Sequence, residues 1–319
     1  MTRTILDCDP GNSIPQANVD DSLTLAVLAG LRPLDVVESV VTVFGNTPAE
    51  VGYSCATTLL ADLSYDLEVK CGQRQPLSGN AAEWSRKLHH PVASADESLG
   101  VVSDASAGSQ LAGSMHGYPT ESESVDFTIY DGARVIAIGP LTNIAYALSQ
   151  GFRPERIYLM GGALGFGDLV DTNFAVDPRA AAEVLESDVP LTIVPLDVTR
   201  TTCLTLERWN AIEAELRSQD RHVADAIDSW LRPWIEYSQR TRPVDGMWVH
   251  DLVALVAHLI DAGHVPASVL SRTTASVAVD AETGKLTRSD HGRDVTLATA
   301  VDNDALIDFI HTALRGLVD

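Results

Sequence analysis

The chain has 319 residues, of which 45% are hydrophobic, and its formal net charge is −22. This length and apolar content allow a large buried core. The strong negative charge argues against nucleic acids and anionic membrane surfaces as binding partners.

Four scattered cysteines show no C-x-x-C spacing, which predicts buried thiols in a reducing compartment and neither disulfides nor a zinc site. No signal peptide precedes the first predicted strand. An apolar run of about 18 residues, the length that would span a bilayer, is also missing. We therefore expect a cytoplasmic protein that does not cross a membrane.

Apolar, β-branched runs alternate with helical segments over the first two thirds of the chain. The predicted strands run from Thr4 to about Asp9 and over residues 35–44, 67–71, 133–140, 156–160 and 191–194. Helices are expected from Asp21 and over residues 49–63, 142–148 and 178–186. This alternation predicts an α/β fold with a mainly parallel open sheet and crossover helices, in a single domain over residues 1–319.

The rest of the chain is less regular. We expect loops and short helices over residues 72–128. From about Leu204 onward the chain should be mainly helical, with a small β excursion near residues 275–280 and 295–302.

Each predicted strand ends in a turn that contains Gly, Asn or Asp. Because ligands bind outside the carboxyl ends of parallel strands, these turns should share one edge of the sheet. The residues concerned are Asp9, Asn46, Gly139, Gly161 and Asp197.

An acidic group follows the first strand: Asp7 and Asp9 at its end, then Asp20 and Asp21 at the start of the first helix. Carboxylates that converge repel one another, and a hard cation bound through oxygen is the usual compensation. The alternative is that they serve as helix caps and dipole partners. A strand followed by Asp-x-Asp also opens the haloacid dehalogenase type of phosphatase, so this motif alone leaves the chemistry open.

A second acidic site lies at the start of an apolar helix, where His250 and Asp251 precede Leu252. Asp251 could cap that helix or add a carboxylate to the cation, and His250 could donate a proton. Nearby aromatic side chains could stack on a planar ligand or pack in the core. They are Trp230, Trp234, Tyr237 and Trp248.

Taken together, these segments resemble the inosine-uridine-type nucleoside hydrolases. The matching motifs run in order from residue 4 to about residue 302. They are Asp7-Cys8-Asp9-Pro10-Gly11, Asp20-Asp21, Phe44-Gly45-Asn46, Gly139-Pro140-Leu141-Thr142-Asn143, Met160-Gly161-Gly162, Asn173 with Asp177-Pro178, Leu196-Asp197-Val198-Thr199 and Val249-His250-Asp251.

The resemblance implies a calcium ion held by the side chains of Asp9, Asp21 and Asp251 and by a main-chain carbonyl near Ile138. It implies that a calcium-bound water attacks the substrate and that Asp9 accepts its proton. Asp7 would support the ligands from behind. The family also suggests a dimer or a tetramer.

For the substrate, the resemblance implies that the ribose hydroxyls are held by Asp20, Asn46 and Asn173. His250 would lie near the leaving base. Of the aromatic residues named above, Trp248 and Tyr237 are the candidates for stacking on that base. The substrate would be a small-molecule ribonucleoside.

The chain departs from the family pattern in three places. Residues 12–19 replace a single residue between Pro-Gly and Asp-Asp. Asp171-Thr172-Asn173 stands where the family has Glu-Phe-Asn, so Asp171 becomes the candidate contact to the 5′ side of the ribose. A clear counterpart of the family's His-Gly loop is missing, and His90 and His116 are poor substitutes.

These residues predict a ribonucleoside N-glycosidase. A magnesium-dependent phosphohydrolase is one alternative, but it leaves Val249-His250-Asp251 unexplained. The chain also lacks the basic, phosphate-holding residues expected around such a site. The other alternative is a nucleoside or sugar binder that has kept the fold without catalysis.

Overall fold

A nine-stranded sheet organises the residues that the computed structural model describes, 3–78 and 125–318. In space the strands follow the order β3-β2-β1-β4-β5-β6-β9-β7-β8. Their bounds are β1 (Thr4–Cys8), β2 (Ser39–Thr42), β3 (Glu68–Cys71), β4 (Arg134–Ala137), β5 (Arg156–Met160), β6 (Leu191–Val194), β7 (Leu270–Val279), β8 (Leu286–Arg288) and β9 (Arg293–Val301).

Helices connect these strands and cover the sheet. Their bounds are α1 (Asp20–Gly30), α2 (Ala49–Asp62), α3 (Thr142–Ser149), α4 (Thr172–Val176), α5 (Pro178–Glu186), α6 (Leu196–Thr199), α7 (Leu206–Gln219), α8 (Arg221–Thr241), α9 (Leu252–Asp261) and α10 (Asn303–Arg315). Within the described ranges, none of these helices combines the length and the apolar composition needed to cross a lipid bilayer.

The sheet is covered on both faces because successive side chains of a strand point to opposite sides. Leu6 of β1 packs in a core with α1, α8 and α9, whereas Ile5 packs in a second core with α3 and α5. Strands buried on both faces read as continuous apolar runs. The sequences of β1, β5 and β6 contain such apolar runs, which is why they predict strands at these positions.

The strand order reverses direction at β1. From β1 the chain builds outward to β2 and β3, then returns to place β4 on the other side of β1. Such a reversal leaves a crevice at the carboxyl ends of the two central strands. That crevice is where the acidic residues lie.

The predicted fold class is confirmed, with two corrections. The strand predicted over residues 35–44 begins only at Ser39, because Asp35 adopts a left-handed conformation with φ 49° after a short 3₁₀ turn. The C-terminal part contains more β structure than the small excursion that the sequence predicts. β7, β8 and β9 continue the main sheet, and β9 pairs in parallel with β6.

The expectation for residues 72–128 falls mostly outside the described residues, as do His90 and His116.

Candidate active site

A pocket of about 260 Å³ opens at the carboxyl ends of β4 and β5, next to the turn after β2. Several parts of the fold line it: the strand ends, the inserted segment 12–19, the loop and turn of α4, the ends of α6 and α8, and the entry to α9. The lining residues include Gln16, Ala17, Asn18, Asn46, Ile138, Leu169, Asp171, Asn173, Arg200, Trp234, Arg242, Trp248, His250 and Asp251.

Asp9 is held in place at the end of β1. Its Oδ2 accepts a hydrogen bond from the Asn46 main-chain N–H at 2.6 Å, while its Oδ1 is buried without a hydrogen-bond partner. Two glycines make room for it. A Cβ on Gly45 would lie 2.0 Å from Asp9 Oδ2, and a Cβ on Gly139 would lie 2.8 Å from Oδ1. The carboxylate therefore fits only because both neighbouring turns lack side chains.

Asp21 lies directly beside Asp9. Its Oδ1 accepts the Asp9 main-chain N–H at 2.8 Å, and its Oδ2 accepts the Asn46 side-chain amide at 3.1 Å. Burial raises the pKa of Asp21 to about 6, although these hydrogen bonds oppose the rise. Asn46 thus bridges two of the predicted calcium ligands.

Asp20 turns away from the pocket. Its Oδ2 accepts the main-chain N–H groups of His250 and Asp251, the latter at 3.0 Å, so it caps the entry to α9. Its Oδ1 is buried without a partner, and burial raises the pKa of Asp20 to about 7. Like Asp9 and Asp21, Asp20 is not among the residues that line the pocket. Its predicted contact to ribose stays a prediction.

Because Asp20 caps α9, the Asp251 side chain does not. Asp251 stands at the N-cap position of that helix without a side-chain capping hydrogen bond, and it lines the pocket. Burial raises the pKa of Asp251 well above its usual value, and the nearby carboxylates of Asp20, Asp21 and Asp9 raise it further. The capping alternative for Asp251 is therefore wrong.

Asp7 is buried behind the pocket. Its Oδ2 accepts a hydrogen bond from the Asn143 side-chain amide at 2.6 Å, and its Oδ1 has no partner. Burial raises its pKa to about 8. Asn143 also binds the Gln73 main-chain N–H at 2.6 Å, so it ties β1 to the turn after β3.

Asn173 and Asp171 form the wall opposite β1. The Asn173 amide donates to the carbonyls of Ile138 at 2.8 Å and Met160 at 3.1 Å. Asp171 caps α4 by accepting the Phe174 N–H, and burial raises its pKa to about 6. The Ile138 carbonyl, a predicted calcium ligand, is therefore hydrogen-bonded to the Asn173 amide.

His250 is oriented by α6. Its Nδ1 and the Thr199 hydroxyl share a hydrogen bond of 2.7 Å. The His250 and Trp248 rings lie 5.8 Å apart, centroid to centroid. Burial lowers the pKa of His250 to about 3, and the positive charges of Arg242 and Arg200 lower it further.

The aromatic predictions are only partly met. Trp248 and Trp234 line the pocket, whereas Tyr237 does not. Tyr237 packs against Trp234 with ring centroids 5.5 Å apart, behind the pocket wall. Trp230 is buried in the core.

The inserted segment 12–19 is part of the pocket and not a loose cover. Gln16, Ala17 and Asn18 line it, and Asn12 is anchored by a 2.8 Å hydrogen bond from Ser22. A Cβ on Gly11 would lie 2.5 Å from the Ala17 Cβ, so the segment folds tightly back onto the end of β1.

Comparison with known proteins decides the family. The family model described as "Inosine-uridine preferring nucleoside hydrolase" matches residues 4–308. The chain belongs to this family. It is therefore a hydrolase of N-glycosyl bonds, and the resemblance inferred from the sequence is confirmed.

Individual relatives agree with this assignment. An uncharacterized protein of Schizosaccharomyces pombe is 30% identical, over 78% of this chain and 77% of that protein. Uridine nucleosidase 1 of Arabidopsis thaliana is 26% identical, over 80% of this chain and 73% of its own length. The solved structure of a purine-preferring ribonucleoside hydrolase from Gardnerella vaginalis has a TM-score of 0.74 at 23% identity and covers 99% of both chains. That likeness establishes a shared fold.

The donor set of this nucleoside hydrolase suits a hard divalent cation. One oxygen each of Asp7, Asp9 and Asp20 is buried without a hydrogen-bond partner, which is costly unless a cation or water compensates. Carboxylate and carbonyl oxygens are the ligands that calcium prefers. Over residues 3–78 and 125–318, no three acidic, histidine or cysteine side chains are placed so that they could already hold a metal ion. The fit therefore rests on the kind of donor and, among the predicted ligands, on the unpaired Asp9 Oδ1.

Two arginines of this pocket were missed in the sequence. Arg200 follows α6 directly and Arg242 follows α8, and both line the pocket. The expectation that basic residues are lacking around the site is therefore wrong. An arginine at the end of a helix reads as an ordinary solvent-exposed residue, so no sequence signal separates these two from the others.

Proposed function

We propose that this pocket hydrolyses the C1′–N bond of a ribonucleoside and releases ribose and the free base. The observation that carries the proposal is the Asp9 carboxylate. It lies at the end of β1, fixed by Asn46 between two glycine turns, and its Oδ1 has no protein partner. A fixed, buried acceptor of this kind is suited to take a proton from an attacking water.

We further propose that calcium binds here, held by the side chains of Asp9, Asp21 and Asp251 and by the Ile138 carbonyl. When bound, it would supply positive charge that lowers the pKa of a coordinated water. The support is the donor chemistry and the unpaired Oδ1 of Asp9.

Cleavage of a ribosyl C–N bond builds positive charge on the sugar ring. Buried carboxylates around that ring stabilise the charge because they are already oriented and little water competes with them. Asp9, Asp171 and Asp251 are each 4% exposed or less, so they can act on the sugar in this way.

Side chains around the floor of the pocket would hold the sugar. Asn46 and Asn173 both line the pocket, and Asn173 still has its amide oxygen for a ribose hydroxyl. Asp20 would contribute to sugar binding indirectly, because it caps the start of α9. A site built to bind a hydroxyl rejects a substrate that lacks it, because its own polar groups then stay unpaired. We therefore expect ribose to be favoured over deoxyribose.

His250 and Trp248 would meet the leaving base. The Thr199 hydrogen bond fixes the imidazole, and Trp248 beside it offers a ring for stacking. Trp234 takes the place that the sequence assigned to Tyr237.

The test is ribose release from uridine, cytidine, inosine and adenosine, with the free base identified by chromatography. At least one of them should be hydrolysed. Asp9→Asn should lower kcat by about a thousand-fold, the range for loss of a general base. Asp290→Asn, an exposed aspartate far from the site, is the matched control and should leave kcat unchanged.

The alternatives give different results in the same assay. Binding of a nucleoside without any turnover would favour the non-catalytic binder. Phosphate release from a nucleotide that requires magnesium would favour the phosphohydrolase. Either outcome would contradict the proposed function.

A further inference from the structure

Arg200 has no acidic partner although it borders the pocket. Over residues 3–78 and 125–318, neither Arg200 nor Arg242 forms an ion pair, while Arg3, Arg134 and Arg217 each pair with a glutamate. The Arg200 Nε is buried without a hydrogen-bond partner. An unpartnered guanidinium N–H at a pocket wall is a donor ready for an acceptor on a ligand.

Aromatic rings hold both guanidinium groups against the wall. The Arg200 guanidinium carbon lies 4.9 Å from the Phe166 ring centroid and 5.1 Å from that of Trp248. The Arg242 guanidinium carbon lies 4.5 Å from the Trp234 ring centroid. Stacking of this kind fixes a planar cation without neutralising its charge.

The two positive charges also lie close enough to repel. Burial lowers the pKa of Arg242, and the positive charge of Arg200 lowers it further, whereas Asp20 partly opposes the change. Two cations on one wall that form no ion pair within the described residues are unexpected in a chain with a net charge of −22. An anionic group on the ligand would relieve this repulsion.

Charge separates the two ends of the pocket. The Arg200 and Arg242 guanidinium groups lie against the rings of Trp248 and Trp234, whereas Asp9 and Asp21 are both hydrogen-bonded to Asn46. A neutral sugar suits the carboxylate end, where an anion would be repelled. The arginine end also carries Trp234 and Trp248, which suit a planar heterocycle.

We infer that Arg200 and Arg242 form an anion-binding wall that selects ribonucleosides whose base carries a negative charge, such as a carboxylated or acidic heterocycle. This inference rests on the proposed function, because it names the substrate class of the same site. The base would stack on Trp248 or Trp234 and place its anionic group between the guanidinium groups.

The experiment compares kcat/KM for matched substrates. Orotidine differs from uridine by a carboxylate on the base, and xanthosine has a more acidic base than inosine. Uridine 5′-monophosphate places the negative charge on the sugar instead. For the wild-type enzyme, the acidic member of at least one base-matched pair should exceed its neutral partner by roughly ten-fold or more, the effect of one charge-assisted hydrogen bond.

The variants Arg200→Gln and Arg242→Gln should each lower the ratio of acidic to neutral substrate by roughly ten-fold. Arg240→Gln removes the same charge from the exposed side of α8 and should leave the ratio unchanged.

Each failure has its own signature. Hydrolysis of uridine or inosine without any preference for the acidic partner, or with a preference that survives both variants, overturns the anion-binding wall and leaves the proposed function intact. A preference for uridine 5′-monophosphate assigns the anion to the sugar and overturns the base assignment. No ribose from any substrate, neutral or acidic, overturns the proposed function itself.

Discussion

Asp20 and Asp251 show how adjacent carboxylates divide two tasks. Asp20 accepts the first N–H groups of α9, which leaves Asp251 with its carboxylate directed to the pocket. Asn143 and Thr199 also support site residues. Asn143 donates a hydrogen bond to Asp7 behind the site, and the Thr199 hydroxyl shares one with His250.

His258 provides a pH-dependent prediction away from the site. It is 4% exposed, its Nδ1 has no partner, and its ring meets Tyr158 edge-on at 5.2 Å. Burial lowers the pKa of His258 to about 4, and Arg134 lowers it further, while Asp261 opposes the change. The folded state therefore favours the neutral form of the His258 imidazole.

Because the pKa of His258 is lower in the folded state than in the unfolded chain, its contribution is present above about pH 6.5 and is lost as the pH falls toward 4. The loss should reach about 3 kcal/mol of unfolding free energy. His258→Phe, which keeps a ring against Tyr158, should remove this part of the pH dependence in chemical denaturation between pH 7 and pH 4.

The exposed residue His291 serves as the control, and His291→Phe should keep the wild-type slope. Since all other titrating groups are common to the proteins, they cancel in the difference. Equal slopes for His258→Phe and wild type would contradict the burial of a neutral imidazole.

At the scale of elements, the site depends on two turns that follow β2 and β4. Gly45→Ala would bring a Cβ to 2.0 Å from Asp9 Oδ2 and 2.9 Å from Pro140 Cδ. The carboxylate must then move and give up its hydrogen bond from Asn46. We expect kcat to fall by about a hundred-fold, since displacing a catalytic group by about 1 Å has an effect of this size.

Gly52→Ala in α2 is the matched control, because its new Cβ would come no closer than 3.3 Å to Thr47 Oγ1 and alanine favours a helix. Its activity should stay within about three-fold of wild type, since nothing at the site moves. Full activity in Gly45→Ala would contradict this account, because it would show that Asp9 keeps its position without the glycine.

The elements differ in how well their sequences predict them. β5 and β6 were predicted to the residue, because apolar runs between turn residues leave few other choices. β7 and β9 were underestimated because many of their residues are exposed or only half-buried, so that the apolar signal is diluted by polar residues.

The acidic cluster could be placed at one edge of the sheet from the sequence, because strand ends in a parallel sheet meet there. The hydrogen-bond partners of each carboxylate could not be predicted from the sequence. Asp20 binds main-chain N–H groups some 230 residues away, and main-chain donors leave no mark in a sequence. The arginine wall joins α6 to α8, and only the tertiary fold brings those two helix ends together.

At the scale of the whole molecule, the reversal of strand order at β1 explains why the site lies where it does. It places Asp9 at the end of β1 beside the Ile138 carbonyl at the end of β4, and α9 brings Asp251 to the same crevice. Three distant parts of the chain thus supply the donors proposed for calcium. The predicted dimer or tetramer stays a prediction, since no feature described above depends on it.

Calcium removal tests the central claim most directly. Protein stripped with a chelator would be titrated with calcium in a calorimeter, and ribose release from the best substrate would be followed at each step. We predict one bound calcium per chain, recovery of activity in parallel with binding, and loss of calcium binding in Asp251→Asn. Bound calcium should also raise the unfolding free energy, by about 2.7 kcal/mol at a hundred-fold excess over its Kd. Full ribose release from stripped protein that binds no calcium would contradict the proposed calcium-dependent site.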